Sequence, residues 1–341
     1  MNLSADTTVK LIFRLGHLGD VALTTGVLTH WHETRGDSFI FLTRAGNGSL
    51  LKHHPAITEV VEFSNSQLTT RAWLTIAGEL ATYFKGLPLI DLHGTLRSRI
   101  LSARWKGAVH RFPKFGMARR LYARTHAERF RAQLEATTIP QRYSMALDET
   151  PPAAHDLVPQ IYLTDEEKND ATHQLASRKI SGPVVALHPY ATHPAKQWPE
   201  THWLKLIESL EAAHIQWFVV GRNQTALMGT HARDFTNQTD LRETCALLSK
   251  AAILVTGDSG PMHLACGVGT PVLALFGPTA RAWGFYPAGR NDRVIEQPLD
   301  CRPCSLHGAK PCPSGFECMT GITPQSVLQN IHAMLDEFRT A

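Results

Sequence analysis

Short apolar runs alternate with stretches of helical periodicity along most of this chain. Residues 9–15 read as a buried strand, and residues 21–32 carry the 3.6-residue spacing of a helix. Residues 39–43 and 56–63 are the next strands, 68–84 a long amphipathic helix, and 87–92 a further buried strand. After Gly107 the pattern turns basic and mostly helical. Residues 150–158 (TPPAAHDLV) are rich in Pro and lack periodicity, which marks a break between domains. The alternation then restarts, with strands over 184–188, 217–221, 251–255 and 272–276. Helices are predicted over 201–213, 241–250 and 324–339. Strands that are apolar throughout, each followed by a helix, predict parallel sheets covered on both faces. The expected fold is therefore α/β, with two Rossmann-like doubly wound domains facing across a cleft. Residues 1–150 form the first and 164–323 the second, with a linker at 151–163 and a closing helix at 324–341.

Length and composition agree with this picture. A chain of 341 residues, 43% apolar and 19% charged, can bury two cores. No apolar run approaches the ~20 residues that span a bilayer, and the polar start does not resemble a signal peptide, so a cytoplasmic protein is expected. The net charge of +4 is unevenly spread. Between Arg97 and Arg131 eleven Lys and Arg face one acid, Glu128, with Trp105, Phe112, Phe115 and Tyr122 interleaved. Such a segment is either a solvated helical face or a surface for polyanions, whether nucleic acid, acidic lipid or a phosphorylated sugar. No nucleic-acid reading motif accompanies it. Four of the six cysteines, Cys301, Cys304, Cys312 and Cys318, are spaced C-x2-C-x7-C-x5-C. In a reducing compartment this favours a tetrahedral structural site for zinc or iron over disulfides, with free thiols as the alternative.

Candidate chemistry sits in four loops that follow predicted strands. The stretch VTGDSGPMHLACGVGTPVLALFGPT (255–279) reads as strand, tight turn, helix and strand, an arrangement that offers backbone N–H groups to an anion. Its Gly257–Pro261 portion echoes the serine-protease GDSGGP signature. A catalytic triad, however, needs a His and a buried Asp held around the serine, and the alternating strands and helices here supply no such β-barrel. RLGHLGD (14–20) ends in Asp20, readable as a helix cap or as a general base. DLHGTLRS (91–98) and HPYATHPAKQWP (188–199) complete the set, and Lys196 in the latter is a compact charge suited to phosphate.

These four motifs, in this order from Arg14 to Thr279, resemble the heptosyltransferases of glycosyltransferase family 9. The resemblance implies a GT-B fold and an inverting, metal-independent transfer of heptose from a nucleotide donor, usually ADP-heptose. The acceptor it implies is the phosphorylated glycolipid of the lipopolysaccharide inner core. Asp20 would be the catalytic base. Thr192, His193, Lys196, Asp258, Ser259, Gly260, Met262 and His263 would hold the donor, and Gly19, His93, Arg97, Arg119 and Arg120 the acceptor. No cofactor is then required for catalysis. The basic segment would meet acceptor phosphates or the anionic inner face of the inner membrane, and no nucleic acid. Related enzymes often carry a Glu in the ribose loop, whereas this chain has Gly221–Thr225 (GRNQT) with no acid before Asp234.

Overall fold

The computed structural model describes residues 8–306, 308–309 and 311–340. The chain divides into two compact units. One comprises Met1–Lys114 and Ile139–Tyr162, the other Phe115–Thr138 and Leu163–Ala341.

The first unit is built on β1 (Val9–Phe13), β2 (Ser38–Arg44), β3 (Ile57–Phe63), β4 (Leu89–Asp91) and β5 (Val109–Arg111). All pairings are parallel, in the order β3-β2-β1-β4-β5. Leu11 pairs with Ile40 on one side and with Leu89 on the other, which fixes the register of the sheet centre. Leu11, Phe13, Leu42 and Leu89 are fully buried against Trp73, Ala77 and Leu101. The helix Thr70–Tyr83 supplies Trp73 and Ala77 from one face, the spacing expected of an amphipathic helix. Strand β5 (VHR) is too short and too polar for its sequence to announce a strand, and it lies inside the segment read as helical.

The second unit repeats the plan. Strands β6 (Val184–His188), β7 (Gln216–Val219), β8 (Ile253–Gly257), β9 (Val272–Phe276) and β10 (Arg293–Glu296) are all parallel, in the order β10-β9-β8-β6-β7. Its core joins Leu187, Val219, Val255 and Leu275 to Trp203, Leu206 and Leu210. Val327, Ile331, Met334 and Leu335 of the closing helix, Pro324–Thr340, belong to the same core.

Two segments group differently from the expectation. Residues 115–138, expected in the first domain, group with the second unit. Tyr122 and Leu134 bury themselves against Ala282 and Trp283, so these helices are held by apolar packing that their charge conceals in the sequence. The linker's residues 151–162 group with the first unit. Leu157 is fully buried, and the Gln160 N–H donates to Thr25 Oγ1 over 2.8 Å, which ties this stretch to the helix Leu18–Arg35.

The second unit opens with a helix, Asp165–Ser177, fixed by a capping box between Thr164 and Glu167. Glu167 is also gripped by Arg242, whose Nε donates to Oε1 at 2.7 Å and whose Nη2 donates to Oε2 at 2.5 Å. The Arg242 hydrogen bond, followed by the Thr164 backbone, outweighs burial and holds the Glu167 carboxyl at about 2. Its share of stability is present above the ordinary Glu range, near 4.5, and is lost as pH falls toward 2. Arg242→Ala is expected to destabilise the protein by about 2 kcal/mol at pH 7 in chemical denaturation, and by much less near pH 2. An equal loss at both values would exclude a charge-dependent role.

Candidate functional site

In a doubly wound sheet, neighbouring crossovers diverge to opposite faces at the point where strand order reverses, and ligands bind beyond the carboxyl ends of the strands there. The first sheet reverses between β1 and β4, and the second between β6 and β8. The loops leaving those strands lie within the four stretches singled out from the sequence: 14–20, 91–98, 188–199 and 255–279.

In the first unit, β1 is followed directly by Arg14, which is 8% exposed. Its Nη1 donates to the Leu92 carbonyl at 2.6 Å, and its Nη2 lies 2.5 Å from Asp20 Oδ2. The guanidinium also sits over the Tyr143 ring at 5.4 Å. Burial opposes its charge, but Tyr143, Asp20 and Asp91 more than compensate and raise its proton affinity. Gly16 makes this pairing possible: a Cβ there would stand 2.9 Å from both Arg14 Nε and Asp20 Oδ2. The helix Leu18–Arg35 starts earlier than its periodicity suggests. His17 occupies the N-cap position, so Asp20 lies in the first turn and does not cap. Gly19, beside it, is buried.

Asp91 Oδ1 accepts from the N–H groups of His93 (2.9 Å) and Gly94 (2.8 Å), which shapes the second loop. Lys114 Nζ donates to the Gly94 carbonyl at 3.1 Å. Arg97 Nε donates to the Leu68 carbonyl at 2.8 Å, and the Arg97 carbonyl accepts from Trp73 Nε1 at 2.9 Å. His93 packs edge-on to Phe13 at 5.7 Å. Burial, then the charges of Arg14 and Lys114, push its imidazole down to about 3. The first unit thus places His93 near the Arg14–Asp20 ion pair, with Gly19 next to Asp20 in the chain, while Arg97 turns its Nε to the Leu68 carbonyl.

In the second unit, His193 precedes a short turn, Pro194–Lys196, that carries Lys196 back toward β8. Lys196 Nζ lies 2.6 Å from Asp258 Oδ2, and Thr279 Oγ1 donates to the same oxygen at 2.8 Å. Asp258 therefore fixes the lysine rather than standing open. Ser259 is the N-cap residue of the eight-residue helix Gly260–Gly267, yet its hydroxyl caps nothing. Met262 is fully buried and His263 is 5% exposed, so Met262 can offer a ligand only its backbone. Thr192 is exposed. Trp198 is packing, with Nε1 donating to the Ile322 carbonyl at 2.8 Å. In the loop after β7, Asn223 is engaged internally: its Nδ2 donates to the Thr225 carbonyl at 3.0 Å, and Asn237 Nδ2 donates to the Asn223 carbonyl at 2.6 Å.

Arg119 and Arg120, expected beside the acceptor in the first domain, lie on the helix Gly116–Thr125 of the second unit. The Arg119 guanidinium stands over Trp283 at 5.7 Å. Met117 on this helix is 76% exposed, and Arg120 and Arg124 are exposed with it. No described helix is long and apolar enough to cross a membrane.

Cys301, Cys304, Cys312 and Cys318 line one cavity of about 160 Å³ and are free thiols. Among the described residues no three His, Cys, Asp or Glu side chains come together closely enough to hold an ion. Burial, then the neighbouring thiols with Cys304 first, push Cys318 up to about 11. The loop braces the turn after β9: Arg302 Nε donates to the Gly277 carbonyl at 2.5 Å, and Nη2 to the Thr279 carbonyl at 3.0 Å. Thr279 in turn holds Asp258. Arg14, Thr279 and Arg302 escaped the sequence reading. Only Arg14 left a signal there, as a cation closing an apolar strand.

Comparison with known proteins agrees with this arrangement. Residues 88–310 match the family model described as glycosyltransferase family 9 (heptosyltransferase). Lipopolysaccharide heptosyltransferase 1 of Pseudomonas aeruginosa is 26% identical over 95% of this chain and 97% of its own length. Two solved structures share the fold. One is a family 9 glycosyltransferase from Veillonella parvula (TM-score 0.75, 17% identity, 98% of this chain and 99% of that one). The other is ADP-heptose lipopolysaccharide heptosyltransferase II from Escherichia coli (TM-score 0.69, 20% identity, 98% and 100%). The fold and the loops at its two switch points define a glycosyltransferase of the GT-B class. Within that class, the chain belongs to glycosyltransferase family 9.

Two buried histidines, His54 and His188, and the half-buried His93 give these units a shared pH response. Burial holds His54 and His188 at about 4 and is the main cause of the low value at His93. Between about 6.5 and 4 the unfolded chain binds protons that the folded chain refuses, so stability falls as pH drops through that window. The thermal unfolding midpoint is expected to be lower at pH 5 than at pH 7. A midpoint that held or rose would contradict the burial of these rings.

Proposed function

We propose that this chain transfers a heptose from ADP-heptose to the inner core of lipopolysaccharide by inverting displacement. The observation that carries the proposal is a division of chemistry between two switch points. The first unit holds a carboxylate, Asp20, in an ion pair with Arg14 that keeps it aimed. The second holds a fixed lysine, Lys196, beside the start of the helix Gly260–Gly267. Heptose and lipopolysaccharide as the ligands are favoured by the name of the Pseudomonas aeruginosa relative, which aligns over nearly the whole chain.

In this reading Asp20 takes the proton from the acceptor hydroxyl as its oxygen bonds to the anomeric carbon. The bond from that carbon to the diphosphate breaks, and ADP leaves. Lys196, the Gly260 amide at the helix start, and the hydroxyls of Thr192 and Ser259 stabilise the charge that develops on the departing diphosphate. His193 and Asp258 shape that pocket. His93, with its depressed proton affinity, serves as a neutral hydrogen-bonding group for the acceptor, and Arg97 as a cationic one. No metal takes part in the transfer.

The exposed basic face with Met117, Arg120 and Arg124 suits the anionic inner leaflet, where a cytoplasmic enzyme would dock peripherally to reach a glycolipid. We propose a structural zinc or iron ion only for a rearranged cysteine cavity, since the thiols of Cys301, Cys304, Cys312 and Cys318 would have to draw closer together to hold one. Such an ion would stiffen the loop that carries Arg302.

Asp20→Asn is expected to lower turnover by about 10²–10⁴-fold in a coupled ADP-release assay while leaving ADP affinity within about twofold. Lys196→Ala should weaken ADP binding, measured by calorimetry, by about tenfold or more. Near-normal turnover in the first variant would remove Asp20 as the base, and unchanged affinity in the second would remove Lys196 from the donor site.

A further inference from the structure

Two buried rings that the proposed chemistry does not use lie beneath the donor loops of the second unit. His188 ends β6 and is 5% exposed, and Tyr190, two residues on, is 9% exposed. Their rings meet edge to face at 5.8 Å and 89°. Each ring reaches a different loop.

Tyr190 reaches the loop after β7. Its hydroxyl lies 2.6 Å from Thr236 Oγ1 and accepts from the Leu227 N–H at 3.0 Å. Gly221, at the start of that loop, closes against both rings. A Cβ there would stand 2.6 Å from Tyr190 Cδ2 and 2.9 Å from His188 Cδ2, so only glycine admits the pair.

His188 reaches the loop after β8. Its Nδ1 is 3.1 Å from Thr256 Oγ1 and 3.3 Å from Ser259 Oγ, and the two hydroxyls are 3.1 Å apart. This triangle explains why Ser259, at an N-cap position, caps nothing. A Ser hydroxyl there ordinarily takes one of the first free N–H groups of the helix. Here the hydroxyl is turned to the imidazole, and the helix start is left to a ligand. Burial holds the ring neutral at pH 7, so it presents one lone pair and one N–H and adds no charge against which a diphosphate would be weighed.

We infer that His188 is a positioning residue, paired with Tyr190, that registers the nucleoside loop (221–227) against the diphosphate loop (256–263) and so sets affinity for nucleoside diphosphates. The inference rests on the donor reading given above for the second unit. It adds that two loops far apart in sequence share one buried support, and that the support acts through the Ser259 hydroxyl.

A ring that merely filled space would be replaced better by Leu than by Asn. A ring that positions Ser259 would be replaced better by Asn, whose side-chain amide nitrogen falls close to the place of Nδ1. ADP affinity is therefore measured by calorimetry for the wild type, His188→Leu, His188→Asn, Ser259→Ala and the His188→Leu/Ser259→Ala double variant, with a melting temperature for each. His188→Leu should weaken ADP binding about tenfold, His188→Asn should recover most of that loss, and the double variant should bind little worse than Ser259→Ala alone. Should His188→Leu fail to fold, Thr256→Val replaces it, and loss of the triangle's third corner should again weaken ADP binding non-additively with Ser259→Ala. Leu binding ADP as well as or better than Asn, or additive losses in the double variant, would overturn the inference. A wild type that bound UDP or GDP in place of ADP would correct only the adenine assignment, and the variants would be compared on that nucleotide. A wild type that bound none of the three would overturn the donor site and this inference together.

Discussion

Parallel pairing of every strand is the constraint on which the rest of this molecule depends. In a parallel sheet all carboxyl ends lie on one edge, so every loop that leaves a strand there is a neighbour of the next. Within each unit the strand order reverses once, between β1 and β4 and between β6 and β8. The loops at those reversals carry Asp20 and His93 in one unit, and Lys196 and Asp258 in the other. The apolar sequence of the strands thus decides where the charged residues meet, although none of the strands contributes a reacting group.

The polar groups at both points are held by partners of opposite sign or by backbone. Arg14 pairs with Asp20, Lys196 with Asp258, and Thr279 bonds the same aspartate. Charges paired in this way are fixed before a ligand arrives, so less ordering has to accompany binding. The arrangement extends outward from the ligand. Arg302 grips the carbonyls on either side of Pro278 and so holds Thr279, and the cysteine-rich loop that carries Arg302 becomes a brace for the turn after β9. Packing does comparable work in the helices 116–135, which carry many arginines yet are anchored by Tyr122 and Leu134.

Much of this was legible in the sequence because buried parallel strands leave continuous apolar runs. Strands β1, β6, β8 and β9 show themselves in that way, and the closing helix by its helical spacing of apolar positions. The same logic hid β5 and β10, whose sequences VHR and RVIE are edge strands with too few apolar positions to register. Asp20 and Asp258 could be singled out because each adjoins a glycine in a loop that follows a strand, and Lys196 because it is a compact cation in another such loop. Arg14, His188 and Thr279 could not, since their importance lies in partners distant in sequence: Leu92 for the first, Ser259 for the second, Asp258 for the third. The basic segment was assigned to the first domain because it follows that domain in the chain. Apolar contacts with Trp283, more than 140 positions later, place its portion from Phe115 on in the second unit, while Arg97–Lys114 stays in the first.

The central claim, that this family 9 enzyme adds a heptose to the lipopolysaccharide inner core, is tested most directly by mass spectrometry of core oligosaccharide from a strain lacking the gene. A core shorter by one heptose is expected, restored by the wild-type gene and not by the Asp20→Asn form. A core with its full heptose content, or one that lacks a different sugar, would contradict it.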